Sequence, residues 1–181
     1  VDMSADDAFN YGAIGSVIGH EMTHGFDDAG RQFDKEGNLK DWWTADDARG
    51  FEVRANVLKE FFNKIEIAPD VHANGEFTLG ENLADYGGVT ISFTAYKNFG
   101  LQTNEVKGLS ADQRFFIAYA GAWAQNMRDE EALRLTKMDE HSLGKWRVNG
   151  ILPHINAWYE AFDIQPDDKL YVAPENRITL W

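Results

Sequence analysis

The chain has 181 residues, 44% of them apolar, 26% charged and 13% aromatic, which is typical of one folded domain and argues against a disordered chain. Its formal net charge of −13 disfavours binding to nucleic acid, because phosphates would meet a net negative field. The absence of cysteine excludes disulfides, thiolate zinc sites and cysteine nucleophiles, and no apolar run approaches the roughly 20 residues that a membrane-spanning helix needs.

Helical patterns dominate the first half of the chain. Ser4, followed by Asp7 three residues later, predicts the start of a helix over 5–28. A Lys-Glu-Gly-Asn turn signal within 31–43 predicts an irregular excursion or a small hairpin. A second helix is predicted over 44–66, because a threonine cap precedes apolar residues at helical spacing.

The second half continues this pattern. Residues 67–78 read as a loop, and a third helix is predicted over 80–99. Ser110 and Gln113 form a capping-box pattern that predicts a helix over 110–127. The remaining segments are predicted as a short helix over 129–137, a loop over 139–152, a helix over 153–162 that begins with Pro153, and an extended tail over 163–181 packed by Tyr171 and Trp181. The sequence therefore predicts a mainly α fold with at most a small hairpin.

The strongest chemical signal is His20-Glu21-Met22-Thr23-His24. The i, i+4 spacing places both imidazoles on one helix face, where two nitrogens can bind one Zn²⁺ at about 2.0–2.1 Å. Glu21 lies beside the first ligand, where a base for metal-bound water is needed. The same pattern also arises by chance on a helix with two surface histidines, and a catalytic zinc site needs a third protein ligand.

Glu81 is the stronger candidate for that third ligand. It lies four residues before Asp85 in Gly-Glu-Asn-Leu-Ala-Asp, so one helix face presents both carboxylates to the histidine helix. Asp85 could accept the second ring N–H of a ligand histidine and fix its tautomer. Asp27, three residues after His24, could do the same for that histidine.

A second interpretation of Glu81 stays open at this point. Thr78-x-x-Glu81 is also a capping-box pattern, in which the carboxylate only satisfies backbone N–H groups. Gly87 and Gly88 favour the metal interpretation. Two glycines inside a helix cost about 1 kcal/mol each, which makes sense where the helix must approach another closely.

Four segments together resemble a known family: Tyr11–Gly15, His20–Asp28, Gly80–Asp85 and the ending Pro174–Trp181. They are similar to the neprilysin/endothelin-converting-enzyme family of zinc endopeptidases, peptidase family M13, and the resemblance covers essentially the whole chain. Vertebrate members carry a cysteine near the last tryptophan. This chain has none and looks like a bacterial oligopeptidase member.

The resemblance implies a zincin-type, thermolysin-like helical catalytic subdomain and a zinc-dependent metalloendopeptidase that hydrolyses oligopeptides. One Zn²⁺ would be the cofactor, with His20, His24 and Glu81 as its ligands. Glu21 would be the general base that assists attack of zinc-bound water on the peptide carbonyl. The alternative is a non-catalytic metal- or peptide-binding module, and a helical domain with an accidental motif is a further one.

The resemblance assigns roles to the residues around these ligands as well. Asp85 would be the partner of His20 and is sometimes described as a proton donor, and Asp27 would be the partner of His24. His141 would stabilise the tetrahedral intermediate, and Arg147 would hold the substrate. Val17 and Trp123 would line the pocket for the residue after the cleaved bond. Taken singly, a loop histidine is more often a surface residue, an arginine a structural ion pair and a tryptophan part of the core. His72 and His154 are interpreted as structural.

Members of the family are much longer than this chain. The chain is therefore expected to be the C-terminal catalytic fragment, residues 1–181, of a longer enzyme whose N-terminal lobe supplies a substrate-pairing edge strand and covers the cavity. The expected partners are that lobe and oligopeptide substrates, with no nucleic acid. A cell-envelope, periplasmic or secreted location is favoured over the cytoplasm. The oligomeric state stays open.

Overall fold

The computed structural model describes residues 1–100 and 104–180, and these are mainly helical. The helices are α1 Asp7–Asn10, α2 Ser16–Thr23, α3 Ala45–Asn63, α4 Leu79–Phe99, α5 Ala111–Ala122, α6 Asp129–Met138, α7 Gly144–Asn149 and α8 Asn156–Phe162. The sheet consists of β1 Glu66–Ala68 and β2 Val71–His72, which pair antiparallel with Glu66 opposite His72. Among the described residues, no helix is both long and apolar enough to cross a membrane.

The first predicted helix is present as a continuous helical stretch from α1 to a 3₁₀ turn at His24–Phe26. Its cap is Asp6, whose side chain accepts from the N–H of Phe9, so the assignment of Ser4 as the cap was wrong. Ser4 donates instead to the carboxylate of Asp2. Asp6 forms the better cap because its carboxylate lies one residue before the first helical turn.

A π-helical segment, Tyr11–Gly15, interrupts this stretch and was not predicted. Ser92 of α4 donates from Oγ to the carbonyl oxygen of Tyr11 at 2.6 Å. A side chain that inserts into the helical ladder is a known cause of such distortions. Since the inserting residue is 81 positions away in sequence, no local pattern announces it.

Two capping predictions and the hairpin are confirmed. Thr44 accepts from the N–H of Asp47 at the start of α3, and Ser110 with Gln113 forms a complete capping box at α5. In the excursion before α3, Phe33 and Leu39 form an isolated antiparallel bridge around the turn.

Several boundaries differ from the predictions. The predicted loop over 67–78 contains part of the β1–β2 hairpin, whose strands of three and two residues are too short to show alternation. Helix α5 ends at Ala122 rather than 127, and the last helix begins at Asn156, after a 3₁₀ turn that contains Pro153.

The prediction of a loop over 139–152 was also wrong, because this segment contains helix α7. That helix has only six residues, and no side chain caps its N-terminus, so the usual start signal is missing. In the tail, Pro174–Asn176 forms a 3₁₀ turn, and the Tyr171 ring packs edge-on against Tyr159. Trp181 lies outside the described residues.

The core lies between α3, α4, α5 and the C-terminal segment. Its most deeply buried large side chains are Leu58, Phe62, Leu83, Phe115, Phe116, Tyr119, Ile151 and Ile178. The C-terminal segment is fastened to α4, since the Tyr86 hydroxyl donates to the carbonyl oxygen of Ile178. These contacts fix α4 at the centre of the fold.

Helices α2 and α4 approach with their backbones nearly in contact. A Cβ at Gly88 would lie 2.5 Å from the carbonyl oxygen of Ser16 and 2.7 Å from the nitrogen of His20. A Cβ at Gly87 would lie 2.4 Å from Thr23, and one at Gly19 would lie 2.8 Å from the Gly88 carbonyl oxygen. The glycine pair therefore permits the close approach that the sequence predicts, and it brings the two candidate ligand helices together.

Candidate functional site

The two histidines of α2 and its 3₁₀ extension point at the same place. Their Nε2 atoms lie 3.0 Å apart. The carboxylate of Glu81 on α4 completes the group, with Oε2 3.2 Å from Nε2 of His20 and Oε1 3.4 Å from Nε2 of His24. Three side chains from two packed helices thus offer two nitrogens and one oxygen, each within 4.8 Å of the others.

The opposite nitrogen of each histidine faces its own carboxylate. Nδ1 of His20 lies 2.8 Å from Oδ1 of Asp85, and Nδ1 of His24 lies 2.7 Å from Oδ2 of Asp27. Asp27 is itself held by the backbone N–H groups of Ala29 and Gly30 at 2.9 and 2.6 Å. With the proton of each neutral ring on Nδ1, both Nε2 lone pairs are directed at one point, as metal ligation requires.

The field at this point is negative. Burial disfavours a charge on His20, but the carboxylates of Asp85 and Glu81 outweigh burial and raise its pKa to about 9. A bound cation would gain from the same carboxylates. Protons and a metal ion therefore compete for Nε2 of His20, and metal binding releases the proton.

The residues present fit a zinc ion. Oε2 of Glu81 is buried and makes no hydrogen bond within the described part of the chain, although His20, His141 and Arg147 lie within 3.2–3.6 Å of it, so this oxygen retains a free acceptor site for a cation. Two imidazoles and one carboxylate are a known catalytic zinc ligand set, with a further position left for water or substrate. The capping interpretation of Glu81 is wrong, because Thr78 makes no cap bond and its hydroxyl donates to the carbonyl oxygen of Asn74.

His141 reaches the same site from the loop before α7. Its Nε2 lies 3.3 Å from Oε2 of Glu81, and its side chain is 46% exposed, so one side of the ring remains open to a substrate. Asp139 orients the ring, with Oδ1 2.7 Å from Nδ1 of His141 and 3.0 Å from its backbone nitrogen. The structure thus brings this loop histidine to the metal ligands.

Arg147 of α7 is buried beside the site and makes a two-pronged ion pair with Asp85. Its Nε and Nη2 each lie 2.7 Å from one oxygen of that carboxylate. The guanidinium also stacks on the ring of Trp123 at 3.7 Å. Asp85 therefore links His20 to Arg147, so the carboxylate has two partners where the sequence interpretation gave it one.

A cavity of about 210 Å³ lies next to these groups. Trp123, His141 and Arg147 line it, but Val17 does not. Val17 lies one turn before His20 and is partly exposed. The structure therefore gathers three of the predicted substrate contacts around one cavity and leaves the fourth outside it.

Glu21 is exposed on the open side of α2, next to His20. Within the described residues, no side chain or backbone group hydrogen bonds to its carboxylate, so it is available to a water molecule or a substrate. The two histidines interpreted as structural lie elsewhere. His72 is exposed on β2, and His154 is buried with Nδ1 3.2 Å from the N–H of Ile178.

Sequence reasoning missed two residues that support the site. Asp139 orients His141, and its signal was available in the Asp-x-His spacing. Tyr119 is buried and donates to the carbonyl oxygen of Arg147 at 2.7 Å, which holds the start of that side chain in place. Tyr119 lies 28 residues before its partner, and no local pattern could have found it.

Comparison with known proteins identifies the family of this chain. The family model "Peptidase family M13" matches residues 1–178. Human neprilysin is 39% identical over 181 residues, covering 96% of this chain and 24% of its own length. A neutral endopeptidase of Lactococcus lactis is 40% identical over 172 residues, covering 95% of this chain and 26% of its own. The chain spans about a quarter of the length of these relatives.

Solved structures show the same fold. A zinc metalloprotease of Mycobacterium tuberculosis, in complex with an inhibitor, superposes with a TM-score of 0.94 at 41% identity, covering 99% of this chain and 29% of that one. PepO from Lactobacillus rhamnosis gives 0.88 at 36% identity, with coverage of 99% and 27%. Because the family model matches residues 1–178, nearly the whole of this chain, the chain belongs to peptidase family M13, a family of metallopeptidases.

Proposed function

We propose that this chain is the zinc-binding catalytic part of an endopeptidase that hydrolyses oligopeptides. His20, His24 and Glu81 would hold one Zn²⁺. When bound, the ion would act as a Lewis acid and lower the pKa of a coordinated water. The observation that carries the proposal is the convergence of both Nε2 atoms and the Glu81 carboxylate, whose Oε2 makes no hydrogen bond in the described structure, at one point.

Glu21 would be the general base. Its carboxylate follows His20 directly and has no competing hydrogen bond in the described structure, so it can accept a proton from the attacking water. The same carboxyl group can then donate that proton to the amine that leaves when the peptide bond breaks. Positioned proton transfer of this kind contributes about 10²–10⁴-fold to rate.

His141 and Arg147 would act on the substrate. The exposed edge of His141 can donate to the oxygen that gains negative charge when the carbonyl is attacked, and a preorganised donor of this kind contributes about 2.7–4 kcal/mol. Arg147 lies in the cavity wall with Trp123. Asp85 takes the Nε and Nη2 donors of Arg147, so Nη1 would be the group that donates to a substrate carbonyl or carboxylate.

Metal binding is tested with the full-length protein after chelation and dialysis. We expect about one zinc per chain on reconstitution, and below about 0.1 for His20→Ala, because two ligands rarely hold zinc at a catalytic site. His72→Ala is the matched control, since it removes an exposed histidine that is not part of the candidate ligand group. Equal zinc content in all three proteins would overturn the assignment.

The role of Glu21 is tested separately. Glu21→Gln should keep zinc and lose peptide hydrolysis by at least about 10²-fold, because the amide cannot accept the proton. Glu60→Gln, an exposed change on α3, should retain both properties. Loss of zinc in Glu21→Gln would instead make Glu21 a ligand and contradict the roles proposed above.

The second candidate is a module that binds metal or peptide without turnover. The observation that favours it for this chain alone is its span of about a quarter of its relatives. A fluorogenic peptide assay on the chain beside the full-length protein separates the two functions. If the full-length protein cleaves the peptide while the chain alone binds zinc but cleaves poorly, the non-catalytic function applies only to the isolated chain.

A further inference from the structure

A series of side-chain hydrogen bonds joins the loop 139–143 to α4, the helix that carries Glu81. Ser142 Oγ donates to Oδ1 of Asn82 at 2.8 Å, and Nδ2 of Asn82 donates to Oγ1 of Thr78 at 2.9 Å. The Thr78 hydroxyl in turn donates to the carbonyl oxygen of Asn74 at 3.0 Å. We propose that Ser142 and Asn82 are positioning residues that hold His141 against the metal site, an inference that rests on the proposed function.

The direction of these bonds is set by the groups themselves. The Thr78 hydroxyl has one proton, and that proton is given to Asn74, so Thr78 must accept from the amide nitrogen of Asn82. The carbonyl oxygen of Asn82 then faces Ser142, whose hydroxyl donates to it. All three hydrogen bonds are thus satisfied by one orientation of the Asn82 amide.

Burial of Asn82 favours the position of the loop in which the Ser142–Asn82 hydrogen bond forms. Asn82 is 1% exposed, so with Ser142 in place its carbonyl oxygen relies on the Ser142 hydroxyl rather than on solvent. An unpaired buried polar group is strongly disfavoured, and the loop is therefore held where Ser142 can reach Asn82. Because Asn82 directly follows Glu81, the same helical turn carries the metal ligand and the anchor of the loop.

The loop is also held at its ends, by a backbone hydrogen bond from Asp139 to Leu135 of α6 and by two from α7 to the carbonyl oxygen of Leu143. Asp139 orients the His141 ring, but it belongs to the same loop and moves with it. Apart from the approach of His141 to Glu81 at 3.3 Å, the Ser142–Asn82 bond is the hydrogen bond that joins 139–143 to α4 in the described part of the chain. Ser142 therefore supplies, directly beside His141, the side-chain hydrogen bond that joins the loop to α4.

The experiment uses Ser142→Ala in the full-length protein, with Ser142→Thr as the rescue that keeps the hydroxyl. Thr136→Val is the matched control, because its half-buried hydroxyl binds only the carbonyl of Ala132 inside α6. Three quantities are measured: amide hydrogen exchange of 139–143 in the metal-free protein, zinc affinity, and kcat with KM for a peptide.

We expect Ser142→Ala to speed exchange of 139–143 about tenfold while α4 is unchanged, since only the loop loses its anchor. Zinc affinity should stay within about twofold, and kcat should fall about tenfold with KM unchanged, because a donor needed in the transition state is displaced. Ser142→Thr should restore both kcat and the slow exchange, and Thr136→Val should resemble the wild type.

The inference and the proposed function fail in different ways. If His141→Ala lowers kcat but Ser142→Ala changes neither kcat nor loop exchange, the positioning role is wrong and the proposed function stands. If His141→Ala leaves kcat intact, the role of His141 itself is wrong. Should Ser142→Ala melt well below the wild type, Ser142→Cys replaces it, because a thiol fills the place of the hydroxyl and is only a weak donor. Wild-type loop exchange and wild-type kcat in Ser142→Cys would also overturn the inference.

Discussion

Replacing Gly88 by alanine should damage both the fold and the metal site, because Gly88 is where α2 and α4 touch. The added methyl would lie 2.5 Å from the carbonyl oxygen of Ser16 and 2.7 Å from the nitrogen of His20. Both are backbone atoms, which cannot turn aside as the end of a long side chain can. Normal contact requires α2 to move away by roughly 1 Å.

The magnitude follows from two opposed effects. Alanine in place of glycine inside a helix gains about 1 kcal/mol of intrinsic helix stability. Overpacking of a buried contact costs typically about 1–3 kcal/mol, and contacts this short belong at the upper end. We expect a net loss of about 2 kcal/mol in the free energy of unfolding. Zinc affinity should fall at least about tenfold, since ligand sites tolerate displacements of only about 0.2 Å.

Gly121→Ala is the matched control. It makes the same chemical change inside α5, where nothing lies within 4 Å of the added methyl, so it should be neutral or stabilise the protein by up to about 1 kcal/mol. Urea unfolding in the presence of chelator measures stability without metal, and competition with a coloured chelator measures zinc affinity. Equal stability and equal zinc affinity for the two variants would refute the argument that backbone contact at Gly88 sets the site.

Three further changes test other parts of the structure. Asp85→Asn should weaken zinc binding about 10–100-fold in the same competition assay. It should also lower the free energy of unfolding in urea by about 3–5 kcal/mol, because Arg147 is left buried without its ion pair. If neither quantity changes, the double role of Asp85 is contradicted. His154 has a pKa lowered to about 4 by burial, so its neutral form stabilises the fold above pH 6.5 and that stability, about 3 kcal/mol, is lost as the pH falls from 6.5 to 4. Urea titrations of His154→Gln across this range should lack that part of the slope, and a slope equal to the wild type would show that His154 is not responsible. Ser110→Ala removes the capping box of α5 and should cost about 1 kcal/mol in urea unfolding, whereas an unchanged midpoint would mean that the cap contributes nothing.

The sequence by itself determined the features that depend on helical periodicity and on local side-chain bonds. His20 and His24, like Glu81 and Asp85, are paired by the i, i+4 repeat, so each pair was placed on one helix face before any tertiary contact was known. The caps at Thr44 and Ser110 are equally local. Similarity of short segments then supplied the family, which the family model and the relatives bear out.

Tertiary structure alone decided how those local pieces meet. It placed Arg147 on the carboxylate of Asp85, joined the loop of His141 to α4 through Ser142, and inserted Ser92 into the first helix, all across 60 to 81 residues of sequence. It also left Val17 outside the cavity that Trp123 lines. The physical reason is that hydrogen bonds and packing between distant segments depend on the relative position of whole helices. A pattern within one segment carries no record of that position.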